Sequence, residues 1–276
     1  MHEGTAKEVV RGHEMSGVVE KVGPGVRSWG AGDRVAVEPL VSCNACQACL
    51  EGRRQLCPAL SIMGVHQDGG FSRALVVPEY ALLRLPDSVS DRSGALVEPV
   101  AVAVHALRRA GLFSSPQRGG RVLIAGLGSV GLMLVAVSAF LGLRSVSVVG
   151  RHAYQREAAQ KIAQHYNMHL RPFQSISSAA IEEKADIAFE AIGGKSSVLN
   201  DIIAGCIKPG GKIVCLGVFE PGKVHVDPLD LLVKSITLIG SNCYDHYEEP
   251  SDFEVAMKVV QAEGSFLEEV FVTHVV

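Results

Sequence analysis

The chain has 276 residues, 47% of them apolar and 20% charged, with a formal charge of −3 and a pI near 6.4. That length supports two domains with cores of their own, and the composition is that of a globular protein. The charge gives no reason to expect nucleic acid or an anionic membrane as a partner.

The first twenty residues carry His2, Glu3, Lys7, Glu8 and Arg11, so they hold no apolar core of a signal peptide, and the expected location is cytoplasmic. Residues 1–106 read as short strands between Gly, Pro and Asp signals: GVVEKVG (17–23), DRVAVEP (33–39) and FSRALVVP (71–78). This pattern predicts an antiparallel β domain. Just before its first strand stands RGHEMSG, with His13 and Glu14 adjacent. Such a pair can ligate a zinc whose remaining position is open, although an ordinary surface or capping pair is the commoner meaning.

Cys43, Cys46, Cys49 and Cys57 follow, spaced C-x2-C-x2-C-x7-C. Thiolates at this spacing suit tetrahedral zinc at a closed, structural site. The loop around them, about residues 40–60, has no periodic apolar pattern, so a metal would supply its folding free energy. Two disulfides, or four unrelated thiols, are the alternatives. Cys206, Cys215 and Cys243 lie far apart in apolar contexts and read as buried packing residues. Phe71 and Leu96 are candidates for a substrate wall, with core packing as the plainer role for both.

Glu98 stands in an apolar run, LVEPVAVA, where an unpartnered carboxylate would be costly to bury. A metal or a buried hydrogen bond would relieve that cost. A catalytic zinc can polarise an alcohol oxygen while hydride leaves its carbon for a nicotinamide. The segment from Glu98 to Gly111 is expected to be a helix joining two halves.

Val122–Leu143 is a run of 22 residues without a charge, long enough to suggest a membrane span. Its early glycines and β-branched start fit a buried strand, a glycine turn and a buried helix better. Beyond it the grammar is strand–helix alternation. Strands are predicted at Val122–Ala125, Ser145–Val149, Asp186–Ala191, Ile213–Val218 and Ile236–Gly240. Helices are predicted at Ser129–Leu141, Tyr154–His165, Ser196–Ile207 and Ser251–Glu263. Repeated βαβ units imply a doubly wound parallel sheet, here assigned to residues 107–276. An edge at Ile236–Gly240 could pair across a two-fold axis in a homo-oligomer, a dimer or tetramer.

GLGSVG (Gly126, Gly128, Ser129, Val130, Gly131) follows a strand and opens a helix, the context that the dinucleotide fingerprint requires. Helix N–H groups there can bind a pyrophosphate. At the end of the next strand, where NAD-binding folds usually place an acidic residue, the chain has Gly150, Arg151 and His152. A guanidinium can grip a 2′-phosphate, so NADP is favoured over NAD.

In this order the chain resembles the zinc-dependent medium-chain alcohol dehydrogenases, and most of all the branch with sorbitol, butanediol and threonine dehydrogenases. The match rests on GHEMSGVVEKVGPGV, GDRVAVEPLVSCNACQACLEGRRQLC, the DGGF turn at Asp68–Phe71, LVEPVAVAVHA, GLGSVG and ITLIGSNCY (236–244). The resemblance implies a GroES-like catalytic domain followed by a Rossmann domain. It also implies structural zinc on Cys43, Cys46, Cys49 and Cys57, and catalytic zinc on His13 and Glu14, with Glu98 as a further acidic ligand or neighbour. The expected reaction is hydride transfer between a secondary alcohol or polyol and NAD(P).

The chain departs from the family at both ends. It has no cysteine before Cys43, where the family's first catalytic ligand and a nearby proton-relay Ser or Thr would stand. The family also continues past THVV, with a tail expected to close the nucleotide sheet and return to the β domain. Two rival readings follow: a module that binds zinc and dinucleotide without turnover, and a zinc-free quinone or enone reductase of the same superfold. The cysteine loop counts against the second.

Overall fold

Apolar residues alternating along short extended runs build the first sheet. Strands β1 (Met15–Val18) and β2 (Arg34–Val37) pair antiparallel, Met15 opposite Val37. In the computed structural model, which describes residues 8–113, 120–182, 184–221 and 224–274, two further strands make a separate ladder. These are β3 (Leu40–Val41) and β4 (Ser61–Ile62), and the excursion between them carries the four cysteines and a short helix, α1 (Gln47–Leu50). Strand β5 (Leu82–Arg84) joins β2 to give the order β1-β2-β5. Met15, Val35, Val37, Met63 and Ala81 form the core, and Trp29, Leu75, Val77 and Tyr80 pack against it.

The expected strand at 71–78 does not form. Leu75 and Val77 do face the core and Val76 is 97% exposed, so the alternation was read correctly. However, no neighbouring strand among the described residues offers these residues a ladder. Phe71 is also not a core residue: its ring is 82% exposed, whereas Leu96 is buried as expected.

Helix α2 (Asp91–Ala95) starts at Ser90, whose side chain accepts from the Ser93 N–H. Helix α3 (Val97–Ala110) follows, and the boundary between two compact units falls within it. One unit comprises Met1–Ala101 with Tyr244–Val276, the other Val102–Cys243. The reading from sequence ran the second domain to residue 276, whereas the chain returns to the first unit at Tyr244.

The second unit is a six-stranded parallel sheet. Strands β6 (Val122–Ala125), β7 (Ser145–Val149), β8 (His169–Phe173), β9 (Ala185–Glu190), β10 (Ile207–Cys215) and β11 (Thr237–Gly240) lie in the order β11-β10-β9-β6-β7-β8. This is the order of two mononucleotide-binding halves, with the switch point between β6 and β9. The six strands complete that order within Val122–Gly240, so no tail is needed to close the sheet.

Helix α4 (Ser129–Phe140) is apolar nearly throughout and buried, which accounts for the uncharged run. No helix among the described residues is long and apolar enough to cross a membrane. Helices α5 (Ala153–His165), α6 (Ile176–Glu182), α7 (Val198–Asp201) and α8 (Pro228–Lys234) complete the unit. The helix expected over 196–207 is shorter: α7 widens into a π turn at Ile202–Cys206, and β10 begins at Ile207 rather than Ile213. A register shift between Ile207 and Lys212, with Gly210 at φ +76°, lets β10 start early. Cys206 is buried, but Cys215 and Cys243 are only partly so.

The last helix, α9 (Asp252–Phe271), belongs to the first unit and runs well past the expected stop at Glu263. Gly264 does not end it, because the missing side chain lets α9 lie on α2. A Cβ there would stand 2.8 Å from Ser93 Oγ. Glu268 then accepts from the Ser93 N–H at 3.0 Å and from the Ser90 and Ser93 hydroxyls. The Ser90 hydroxyl, with Ser93, holds its carboxyl below the usual range.

Candidate metal centres and nucleotide crevice

The four cysteines of the β3–β4 excursion converge. Asn44 at φ +52° turns the chain so that the Cys46 N–H points back at Cys43 Sγ, 3.3 Å away, and the Cys43 N–H reaches Cys57 Sγ at 3.4 Å. Sulfur–sulfur separations are 3.5 Å for Cys46–Cys49 and 3.9 Å for Cys43–Cys49, and all four sulfurs lie within 4.8 Å of one another. A disulfide needs about 2.05 Å. Zinc with Zn–S bonds of about 2.3 Å puts its sulfurs roughly 3.8 Å apart at the tetrahedral angle. The set fits zinc and excludes disulfides. Backbone N–H groups of Ala45 and Cys46 pull the Cys43 thiol down to about 6, toward the thiolate that a metal binds.

This loop is fastened to the segment after Cys243. The Gly52 carbonyl accepts from His246 N–H at 2.7 Å, Gln55 Nε2 donates to Asp245 Oδ2 at 3.2 Å, and the Arg53 guanidinium covers the Tyr247 ring at 4.2 Å. Glu38, buried at the end of β2, meets His246 Nε2 at 2.8 Å, with Arg54 at 3.7 Å.

A second cluster lies in the same unit. Ligand atoms of His13, Glu14 and Glu98 all lie within 4.8 Å of one another. The DGGF turn aims the first two. Phe71 and Gly70 N–H groups donate to the carbonyls of Arg11 and Gly12 at 2.9 Å each, and Asp68 Oδ1 accepts from Val10 N–H at 2.9 Å. Gly12, at φ +100°, lies so near Phe71 that a Cβ would stand 2.8 Å from the ring. Glu98 is buried in the first turn of α3, while His13 and Glu14 are exposed, so the cluster has a closed base and an open rim. Burial pushes the Glu98 carboxyl up to about 8, the Glu14 charge pushes the same way, and the Tyr244 hydroxyl opposes them. Two carboxyl groups and an imidazole converging on one point are a donor set that a divalent cation such as zinc can bind.

The glycine turn of the second unit is built as the sequence predicts. Gly126, at φ +102°, donates its N–H to the Val149 carbonyl at 2.9 Å, and Gly131 packs against the Gly126 carbonyl. A Cβ on Gly128 would meet nothing within 4 Å, so its missing side chain serves no internal packing and leaves the backbone open to a ligand. Beside it is a cavity of about 820 Å³ lined by Gly126, Gly128, Arg151, His152, Ser175 and Ile192, among others. Ser129, Val130 and Gly131 form the first turn of α4, whose N–H groups face the glycine turn. Arg156 Nη1 donates to the carbonyls of Gly150 and Arg151 at 2.6 and 3.0 Å and fixes that strand end.

The sequence reading missed Glu38, His246 and Glu190, although one local signal was present for Glu190. It closes an apolar strand and precedes Gly193–Gly194 (AFEAIGG), where a charge has no packing reason to stand.

Two family models match the chain: an alcohol dehydrogenase GroES-like domain over residues 1–87 and a zinc-binding dehydrogenase over residues 129–262. L-galactonate-5-dehydrogenase of Escherichia coli (strain K12) is 30% identical over 273 residues, covering 96% of this chain and 75% of its own. Sorbitol dehydrogenase of Bacillus subtilis (strain 168) is 32% identical over 225 residues, or 80% of this chain, which spans 62% of that relative's length. Among solved structures, a zinc-binding dehydrogenase from Sinorhizobium meliloti 1021 bound to NADP superposes with a TM-score of 0.80 at 27% identity. That match covers 94% of this chain and 74% of the other.

Proposed function

The chain belongs to the zinc-dependent medium-chain alcohol dehydrogenase family, with its GroES-like and Rossmann folds, and from that premise we propose an oxidoreductase acting on a secondary alcohol or polyol. The observation that carries this reading is the His13, Glu14 and Glu98 cluster, a buried carboxyl group beneath two exposed ligands. His13, Glu14 and Glu98 would hold a catalytic zinc, and Cys43, Cys46, Cys49 and Cys57 a structural one. Zinc at the first site supplies Lewis-acid polarisation of an alcohol oxygen, and a nicotinamide supplies the hydride acceptor.

The chain's own residues do the rest. Burial of Glu98 keeps water from the base of the cluster. Gly126, Gly128, Ser129, Val130 and Gly131 present backbone N–H groups to a pyrophosphate. Arg151 and His152, both exposed on the crevice wall, offer a cation and a polar ring to a 2′-phosphate, which supports NADP over NAD.

Two finer readings go with it. A homo-oligomer formed through β11 is supported by its position at the sheet edge and by exposed Leu229, Leu232 and Val233 on α8. A cytoplasmic location is supported by seven free thiols.

One rival remains, a module that binds metal and dinucleotide without turnover. The test is reduction of NADP⁺ or NAD⁺ by a panel of secondary alcohols and polyols, before and after chelation and zinc return. Chelator-sensitive reduction is the expected result. Dinucleotide binding with no reduction of any kind would favour the rival.

A further inference from the structure

Glu190 is the last residue of β9, and its side chain is fully buried, at 0% exposure. It stands opposite Ala125, the last residue of β6, at the switch point of the sheet. Among the described residues no Lys or Arg pairs with this carboxylate. A buried charge without a counter-ion is costly, and an apolar side chain would fill the same place at no such cost.

The carboxylate instead holds backbone. Its Oε1 accepts from the N–H groups of Ile192 at 2.9 Å and Gly193 at 2.8 Å. The Glu190 carbonyl accepts from Leu216 and Gly217 N–H groups at 2.8 and 3.0 Å, in the loop after β10. The loop that Oε1 holds also rests on the glycine turn: Ala191 N–H donates to the Ala125 carbonyl at 2.8 Å, and a Cβ on Gly126 would stand 2.7 Å from Ile192 Cγ1. Gly193 and Gly194 follow at φ +61° and +66°, backbone that glycine adopts freely and other residues rarely do. On the other side, Gly217 lies so close that a Cβ would come within 2.5 Å of Glu190 Oε2. One residue therefore links the loops leaving β6, β9 and β10, and Ile192 lines the 820 Å³ crevice.

We infer that Glu190 is a positioning residue for the dinucleotide: its carboxylate holds the Ile192–Gly193 peptides in the one arrangement that keeps the crevice beside Gly126–Gly128 open. The inference rests on the reading of that crevice as the nucleotide site. If the carboxylate is lost, two N–H groups lose their acceptor, and the loop is free to relax toward the crevice.

The experiment titrates the 276-residue chain with NADPH and with NADH, following nicotinamide fluorescence, for wild type, Glu190→Leu and Glu190→Gln, with thermal midpoints measured in parallel. Glu190→Leu is expected to bind the preferred dinucleotide about ten-fold more weakly, since two charge-assisted bonds are lost. Glu190→Gln should stay within about three-fold of wild type, because an amide oxygen still accepts from both N–H groups. If Glu190→Leu does not fold, Gly217→Ala, whose Cβ would press on the Gly193 backbone and on Oε2 and so displace the loop from the carboxylate, should weaken binding in the same direction. Wild-type affinity in the Leu variant, with or without a lower thermal midpoint, would overturn the inference and leave the nucleotide reading intact. No binding of either dinucleotide by wild type would overturn both.

Discussion

Gly150 is a glycine because of Leu127: a Cβ at position 150 would stand 2.7 Å from Leu127 Cδ1, inside the glycine turn itself. The position at which a carboxylate would select NAD is thus closed by packing, and Arg151 next to it is exposed on the crevice wall. Replacing Arg151 with Ala should weaken NADP⁺ binding about ten-fold or more and leave NAD⁺ binding nearly unchanged, the loss expected for one charge-assisted contact. Calorimetric titration of both cofactors checks this. Gly150→Asp is expected to weaken both, because it displaces Leu127. A clean switch to NAD⁺ in that variant would show that the turn tolerates the side chain.

Cys46→Ser removes one of four zinc-compatible sulfurs in a loop that has little packing of its own. It should lower the thermal midpoint by on the order of 10 °C, reflecting about 3 kcal/mol or more in a protein of this size, while dinucleotide affinity changes little. Differential scanning calorimetry with parallel cofactor titration separates the two effects. An unchanged midpoint would count against the structural-metal assignment.

Glu98 gives a pH signature in the metal-free protein. Its carboxyl is raised from the usual 4.5 to about 8, first by burial and then by Glu14. Between those values the folded chain keeps the proton and the unfolded chain loses it. The Glu98 contribution to stability is therefore complete below about pH 4.5 and is lost as pH rises to about 8, with a slope of up to about 1.4 kcal/mol per pH unit. Urea midpoints of chelator-treated wild type and Glu98→Gln, compared from pH 5 to 8.5, should diverge as this slope requires. Parallel curves would mean that Glu98 is not held as the structure has it. Zinc binding should release a proton over the same range.

The glycine turn and the cysteine loop were legible because their partners are neighbours in sequence, and Gly126–Gly131 and Cys43–Cys57 carry their geometry in their spacing. The Glu38–His246 contact spans 208 positions, and no local pattern announces it. Strand β8 was missed because Pro172 and His169 argue against a strand, yet it lies at the edge of the sheet, where a proline is tolerated. Helix α8 had its signals, with Asp227 capping the Leu229 N–H and Pro228 at the first turn, but at seven residues it shows too little periodicity to be recognised. The His13 and Glu14 pair was visible in sequence, whereas its proximity to Glu98, 84 positions on from Glu14, was suggested only by the family resemblance.

Leu232 on α8 is 75% exposed, close in sequence to the edge strand β11. If two copies associate through this edge, Leu232→Glu should convert the assembly to monomer without lowering the thermal midpoint by more than a few degrees. Light scattering coupled to size exclusion reads the mass directly, and an unchanged oligomer would move the interface elsewhere.

The most direct test of the central claim is zinc per chain by native mass spectrometry, on wild type, Cys46→Ser and His13→Ala. The account predicts two zinc ions in wild type and one in each variant, because the Cys43–Cys57 and the His13, Glu14 and Glu98 clusters load independently. A single zinc in wild type, retained in His13→Ala and lost in Cys46→Ser, would contradict it.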